Sequence, residues 1–106
     1  MARDPIHPGK FLKDELVEMN MSPIQLAKAL NVPSNRIYQI LNGKRALTAD
    51  TALRLSQWLG TSADFWLNLQ KLYELRLASL CSGQEIKSTV GRWQAPQQEH
   101  GNDMRV

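Results

Sequence analysis

The chain has 106 residues, of which 42% are apolar, and a formal net charge of +3; this permits one compact domain and excludes gross disorder. No apolar run approaches the roughly 20 residues of a membrane-spanning helix, and the N-terminal segment lacks the apolar core of a secretory signal, so we expect a cytoplasmic protein. Cys81 is the single cysteine, which excludes an internal disulfide and a cysteine-rich zinc site.

Basic charge is concentrated in one segment of the chain. No Asp or Glu lies between Glu18 and Asp50, whereas four basic residues do: Lys28, Arg36, Lys44 and Arg45. The segment carries +4, so the rest of the chain carries −1 within the total of +3. A local basic surface suits a phosphate backbone, because neutralising phosphates releases condensed counterions. Charge alone is equally compatible with an ordinary solvated face.

The first half of the chain predicts three helices. Apolar residues on one side of a 3.6-residue repeat predict helix 1 from Pro8 to Asn20. The sequence SPIQ at 22–25 forms a capping box that starts helix 2, and Asn31 ends it because asparagine tolerates positive φ. Helix 3 runs from about Ser34 to Asn42, where the following glycine favours a stop.

Helices 2 and 3 have the spacing of a DNA-binding helix-turn-helix. Ala27 is small where the two helices cross. The internal core of the pair is predicted to contain Leu26, Ala27, Leu30, Val32, Ile37 and Ile40. Each aliphatic residue alone is typical of ordinary packing, and their joint spacing indicates the motif.

Two more helices complete an all-α fold. Thr48 caps helix 4 and Gly60 closes it; Ser62 caps helix 5, which we expect to end at about Leu80. The predicted organisation is a flexible N-terminus at 1–7, a DNA-binding and dimerisation domain at 8–80, and a polar, flexible tail at 81–106.

The two sides of helix 3 differ in chemistry. Ile37, Ile40 and Leu41 share one side; Asn35, Tyr38, Gln39 and Asn42 lie opposite, flanked by Ser34 and Arg36. Amides pair bidentately with adenine, and arginine with guanine. The predicted base-reading residues are Ser34, Asn35, Arg36, Tyr38 and Gln39, with Asn35 and Gln39 as the principal readers. A neutral, amide-rich solvent surface is the alternative.

Residues around helix 3 are expected to contact phosphates. Lys44 and Arg45 directly follow the helix, where a backbone-contacting loop is needed to fix its register in the groove. Amides at the starts of helices 2 and 4 add positive helix-dipole ends. The predicted backbone-contacting residues are Gln25, Asn42, Lys44, Arg45 and Thr48.

Helix 5 has an apolar arc wider than one packing surface requires. The arc contains Phe65, Trp66, Leu69, Leu72, Tyr73 and Leu77. Part of it closes the core, and we expect the remainder to form a homodimer interface, since a two-fold protein reads two half-sites about 34 Å apart. The alternative is that the segment from Ser82 folds back over it.

Four segments, HPGKFLKDEL, LAKALNVPSNRIYQILNGKR, LTADTALRLSQWLGTS and DFWLNLQ, resemble the HigA antitoxins, or VapI family, of the XRE-type helix-turn-helix group. The resemblance covers about residues 6 to 80. It implies a five-helix, lambda-repressor-like (XRE/Cro-type) core and a homodimer on palindromic double-stranded operator DNA. It also implies repression of its own operon and neutralisation of a HigB-type toxin, an mRNA-cleaving ribonuclease.

The sequence departs from the XRE pattern at two positions. Pro23 stands where a glutamine often begins helix 2, which removes a phosphate contact, and Gln25 is a poor substitute. Asn31 stands where the turn commonly has glycine, and asparagine tolerates this conformation. The fold should survive both changes.

Three other functions compete with this interpretation. Catalysis is disfavoured, because His7 and His100 lie in segments expected to be loose and no cofactor loop or metal-ligand spacing occurs. We therefore expect no cofactor, no metal and no membrane partner. A solitary XRE-type regulator without a toxin, and an interaction module that has lost DNA binding, remain open.

Overall fold

Five α-helices form the part of the chain that the computed structural model describes, residues 4–96. They are α1 (Pro8–Glu18), α2 (Pro23–Leu30), α3 (Ser34–Leu41), α4 (Ala49–Leu59) and α5 (Ala63–Thr89). The predicted all-α, five-helix fold is confirmed. Within the described range, none of the helices has the length and apolar character needed to cross a membrane.

Local capping sets most helix ends where the sequence predicted them. The Ser22 hydroxyl accepts from the Gln25 backbone N–H at 3.1 Å, and the Gln25 side-chain oxygen accepts from the Ser22 N–H at 2.8 Å. Asn31 and Gly60 end their helices with φ of 58° and 82°. Thr48 is the N-cap of α4 but makes no side-chain capping hydrogen bond.

The core lies between α1, α2, α3 and α4 and is closed by Trp66 of α5. Its fully or nearly fully buried apolar side chains are Leu12, Leu16, Leu26, Ala27, Leu30, Ile37, Ile40, Leu41, Leu47, Ala52, Leu55 and Trp66, with Val32 partly buried against them. The predicted helix-turn-helix core is therefore confirmed. Close packing of α1 on α3 requires Gly9, because a Cβ there would overlap the carbonyl oxygen of Ile40.

The prediction that helix 5 ends near Leu80 is wrong. α5 has 27 residues and continues to Thr89, so it is about 40 Å long, and residues 81–89 of the expected tail are helical. Gly83 costs only about 1 kcal/mol relative to alanine in a helix interior. The backbone hydrogen bonds of α5 form within the helix itself, so the helix can continue beyond the core. Residues 97–106 of the expected tail, with His100, lie outside the described residues.

His7 is not in a loose segment, contrary to the sequence-based expectation. It is the N-cap of α1, and its Nδ1 accepts a 2.9 Å hydrogen bond from the Gly9 backbone N–H. Its ring packs edge-on against Tyr73 of α5 with centroids 4.9 Å apart. The sequence did not predict this role, because histidine is not among the residues that usually mark an N-cap.

Candidate nucleic-acid interface

Helix α3 is two-sided, as predicted. Ile37 and Ile40 are fully buried and Leu41 nearly so. The opposite side presents polar groups to solvent: Ser34, Asn35, Tyr38 and Asn42 are exposed, and Arg36 and Gln39 are partly exposed. The side chains predicted to read bases thus share an accessible surface of one rigid helix, with amide, hydroxyl and guanidinium groups available for hydrogen bonding.

The loop that follows α3 is fixed by backbone hydrogen bonds. The Lys44 N–H donates to the Gln39 carbonyl at 2.8 Å, and the Gly43 N–H donates to the Ile40 carbonyl at 3.0 Å. Gly43 adopts φ of 73°, a conformation that glycine takes without steric cost. Four of the predicted phosphate-contacting residues, Asn42, Lys44, Arg45 and Thr48, are exposed in this region. Their role as phosphate ligands stays a prediction.

Gln25 uses its side-chain oxygen inside the protein. That oxygen accepts from the Ser22 N–H, so its NH₂ group is the donor available to a phosphate. Pro23 precedes it at the first helical position and has no N–H to offer. The start of α2 therefore has fewer potential anion donors than a helix beginning with a glutamine.

Asp50 binds two arginines that come from different helices. Its Oδ2 accepts from Arg36 Nη1 and from Arg54 Nε, both at 2.8 Å. These hydrogen bonds, that of Arg54 first, lower the pKa of Asp50 below its ordinary value of 3.8. Sequence reasoning predicted Arg36 as a base reader but missed its carboxylate partner, which lies 14 residues away.

His7 connects the start of α1 to the basic loop. Burial lowers the pKa of its imidazole below 6.5, and a hydrogen bond with the backbone of Arg45 opposes this shift. Because Nδ1 accepts from an N–H group, the neutral ring is the form that caps α1. The imidazole of His7 therefore contacts both the first turn of α1 and the backbone of the loop that carries Lys44 and Arg45.

The predicted dimer residues of α5 fall into three groups by exposure. Phe65, Leu72 and Leu77 are exposed, whereas Leu69 and Tyr73 are partly buried. The assignment of Trp66 to a dimer interface is wrong: the side chain is 1% exposed, and its Nε1 donates to Thr61 Oγ1 at 3.0 Å. Trp66 belongs to the buried core cluster.

Comparison with known proteins places the chain in a family. Residues 12–66 match the helix-turn-helix family. The chain is 47% identical over 74 residues to virulence-associated protein I of Dichelobacter nodosus, an alignment that covers 69% of this chain and 68% of that protein. It is 49% identical to a HigA-family addiction module antidote protein from Coxiella burnetii, with a TM-score of 0.84, covering 86% of this chain and all of that one. This chain belongs to the HigA family.

A second solved HigA was determined with DNA. The Pseudomonas aeruginosa antitoxin HigA with the higBA promoter is 42% identical to this chain, with a TM-score of 0.80, and the match covers 82% of this chain and 96% of that one. The similarity extends through the helix-turn-helix and into α5, so this chain and the Pseudomonas aeruginosa protein share their architecture well beyond the DNA-binding motif.

Proposed function

We propose that this HigA-family chain is a sequence-specific DNA-binding antitoxin that represses its own operon as a dimer and neutralises an mRNA-cleaving toxin. It acts in the cytoplasm by binding alone, without catalysis or cofactor. The observation that carries the proposal is the polar, exposed side of α3, which lies next to Lys44 and Arg45 while its apolar side is buried. The similarity to the Pseudomonas aeruginosa antitoxin HigA, whose structure was solved with the higBA promoter, supports the same assignment.

DNA recognition follows from the geometry of α3. Asn35 and Gln39 are four residues apart and so lie one helical turn apart on the same side. In the major groove, their amides pair with the N6 and N7 edge of adenine. Lys44 and Arg45 hold the helix in register through the phosphates, and this contact is independent of sequence.

Dimerisation uses the exposed apolar residues of α5. Phe65, Leu72 and Leu75 project from neighbouring positions on one side of the helix and are 45%, 43% and 61% exposed. A stripe of large apolar side chains of this kind is typical of a protein interface. A dimer also aligns two copies of α3 with two half-sites of a palindrome.

The toxin is proposed from the family. Homologues include Antitoxin HigA-1 of Vibrio cholerae, which is 38% identical over 74 residues. The partner is a HigB-type ribonuclease encoded next to this chain, and binding to the antitoxin prevents it from cleaving mRNA. The exposed surface available for that contact includes α1 and the distal part of α5.

The test is a gel shift of the purified chain on its own promoter, with and without the small protein encoded by the adjacent gene. We expect specific retardation of the promoter fragment, a complex between the two proteins, and loss of mRNA cleavage when they are mixed. If the chain retards unrelated DNA as strongly as its own promoter, the proposed DNA recognition is overturned. If the chain binds its promoter but the adjacent protein neither binds the chain nor cleaves mRNA, the chain is instead a solitary regulator.

A further inference from the structure

A network centred on Asp50 joins the three helices around the DNA-binding surface. Asp50 lies in the first turn of α4, and its Oδ2 accepts from Arg36 of α3 and from Arg54 of α4. The Arg54 Nη1 group also donates to the carbonyl oxygens of Leu30 and Asn31, at 3.0 and 3.3 Å, where α2 ends. Arg54 thus links the Asp50 carboxylate to the end of α2, and the same carboxylate binds Arg36 of α3.

Stability alone gives little reason for this arrangement. The side chains of Arg36 and Asp50 are 27% and 55% exposed, and exposed ion pairs contribute little to folding. A carboxylate beside a surface that binds phosphates also weakens binding, because the two negative charges repel. Asp50 therefore acts against general DNA affinity.

Arg36 lies where the orientation of its side chain affects contacts with DNA. It lies in the first turn of α3, on the flank of the reading side, and the N-terminal residues of a recognition helix contact base edges. Together with Arg45, Thr48 and Asp50 it lines an open depression of about 280 Å³ beside that helix. An arginine without a partner at this position would bind any phosphate within reach. An arginine whose Nη1 is bound to a carboxylate keeps its remaining N–H donors in a fixed orientation.

We propose that Asp50 is a positioning residue that sets the ratio of sequence-specific to non-specific DNA binding by restraining Arg36. The proposal rests on the proposed DNA-binding function. Arg54 supports it by fixing the carboxylate to the end of α2. Without Asp50, Arg36 gains freedom to neutralise one more phosphate on any sequence, and the directed contact to DNA is lost.

The experiment compares Asp50→Asn with wild type on two DNA fragments of equal length and composition, the chain's own promoter and a shuffled version. Asp64→Asn is the matched control, since it removes the same charge from the first turn of α5. Arg36→Ala and the Arg36→Ala/Asp50→Asn double variant complete a cycle. Thermal unfolding of each variant reports whether the fold is retained.

We expect Asp50→Asn to lower the affinity ratio between promoter and shuffled DNA by about tenfold and to steepen the salt dependence on shuffled DNA by about one unit of log-log slope. In the Arg36→Ala background the same substitution should leave the ratio unchanged. Equal changes on both fragments, or an equal fall in ratio without Arg36, would overturn the proposal. If the wild-type protein binds the promoter and the shuffled fragment with equal affinity, both the proposed function and this inference are overturned.

Discussion

The backbone N–H of Leu47 donates a 2.9 Å hydrogen bond to the side-chain oxygen of Gln70. Leu47 is 1% exposed and Gln70 is 7% exposed, so this N–H has no access to bulk water. The Gln70 amide donates in turn to Glu74 at 2.8 Å. A glutamine of α5 thereby fixes the segment between α3 and α4, where the proposed phosphate ligands lie.

Replacing Gln70 with methionine should destabilise the protein. The substitution keeps the side-chain length but leaves the buried Leu47 N–H without an acceptor, which costs about 1–3 kcal/mol. Chemical denaturation measures the free energy of unfolding. Gln57→Met on the exposed side of α4 is the matched control and should change stability by less than about 0.5 kcal/mol. Equal stability of the two variants would show that the Leu47 hydrogen bond contributes nothing.

Replacing Lys44 with alanine should weaken DNA binding on every sequence alike. Lys44 is exposed directly after α3, and a phosphate contact carries no sequence information. Binding measured over a range of salt concentrations should show a log-log slope reduced by about one unit. Lys87→Ala, at the distal end of α5, should leave the slope unchanged. A loss confined to the promoter sequence would contradict the phosphate assignment.

Acidification should destabilise the protein through His7. The native pKa of His7 is lowered below 6.5 by burial, so between these two values the unfolded chain binds more protons than the native one, and stability falls as pH falls. The contribution of neutral His7 is complete above about pH 6.5 and is progressively lost below it.

The check on this pH effect is His7→Asn, which keeps a side-chain acceptor for the Gly9 N–H and removes the titrating ring. Unfolding free energies at about pH 7.5 and pH 5.5 should differ less for this variant than for wild type. An unchanged pH dependence in His7→Asn would exclude His7 as the group responsible.

Replacing Leu72 with lysine should separate the proposed dimer into folded monomers. Leu72 is 43% exposed in the single chain, so the protomer tolerates a charge there, whereas a dimer interface would have to bury it. Sedimentation at micromolar concentration measures the assembly. Leu53→Lys on α4, where Leu53 is 61% exposed, should not affect it. A wild-type monomer at this concentration would contradict the dimer.

The features predicted correctly from sequence are those encoded by neighbouring residues. Ser22 and Gln25 are three residues apart and cap a helix by themselves. Asn31 and Gly60 end helices through their own backbone preferences. The buried and exposed sides of α3 could be predicted from the helical repeat, because burial of Ile37 and Ile40 determines which side chains face solvent.

The two missed hydrogen bonds at the site depend on residues distant in the chain. Asp50 meets Arg36 across 14 residues, and Gln70 meets Leu47 across 23. No local pattern marks either pair. Trp66 and Leu72 look alike as apolar positions of α5, and only the packing of the folded chain distinguishes the buried one. The end of α5 was misplaced because the polar composition beyond Ser82 predicts a flexible tail, whereas the helix continues to Thr89.

The central claim, that the exposed side of α3 reads DNA sequence, is tested most directly by Asn35→Ala/Gln39→Ala. Fluorescence anisotropy would compare this double variant with wild type on the chain's own promoter and on a shuffled fragment. We predict that promoter affinity falls by about 1–3 kcal/mol for each lost amide pair, while affinity for shuffled DNA and the melting temperature stay unchanged. Promoter discrimination equal to that of wild type would contradict the account.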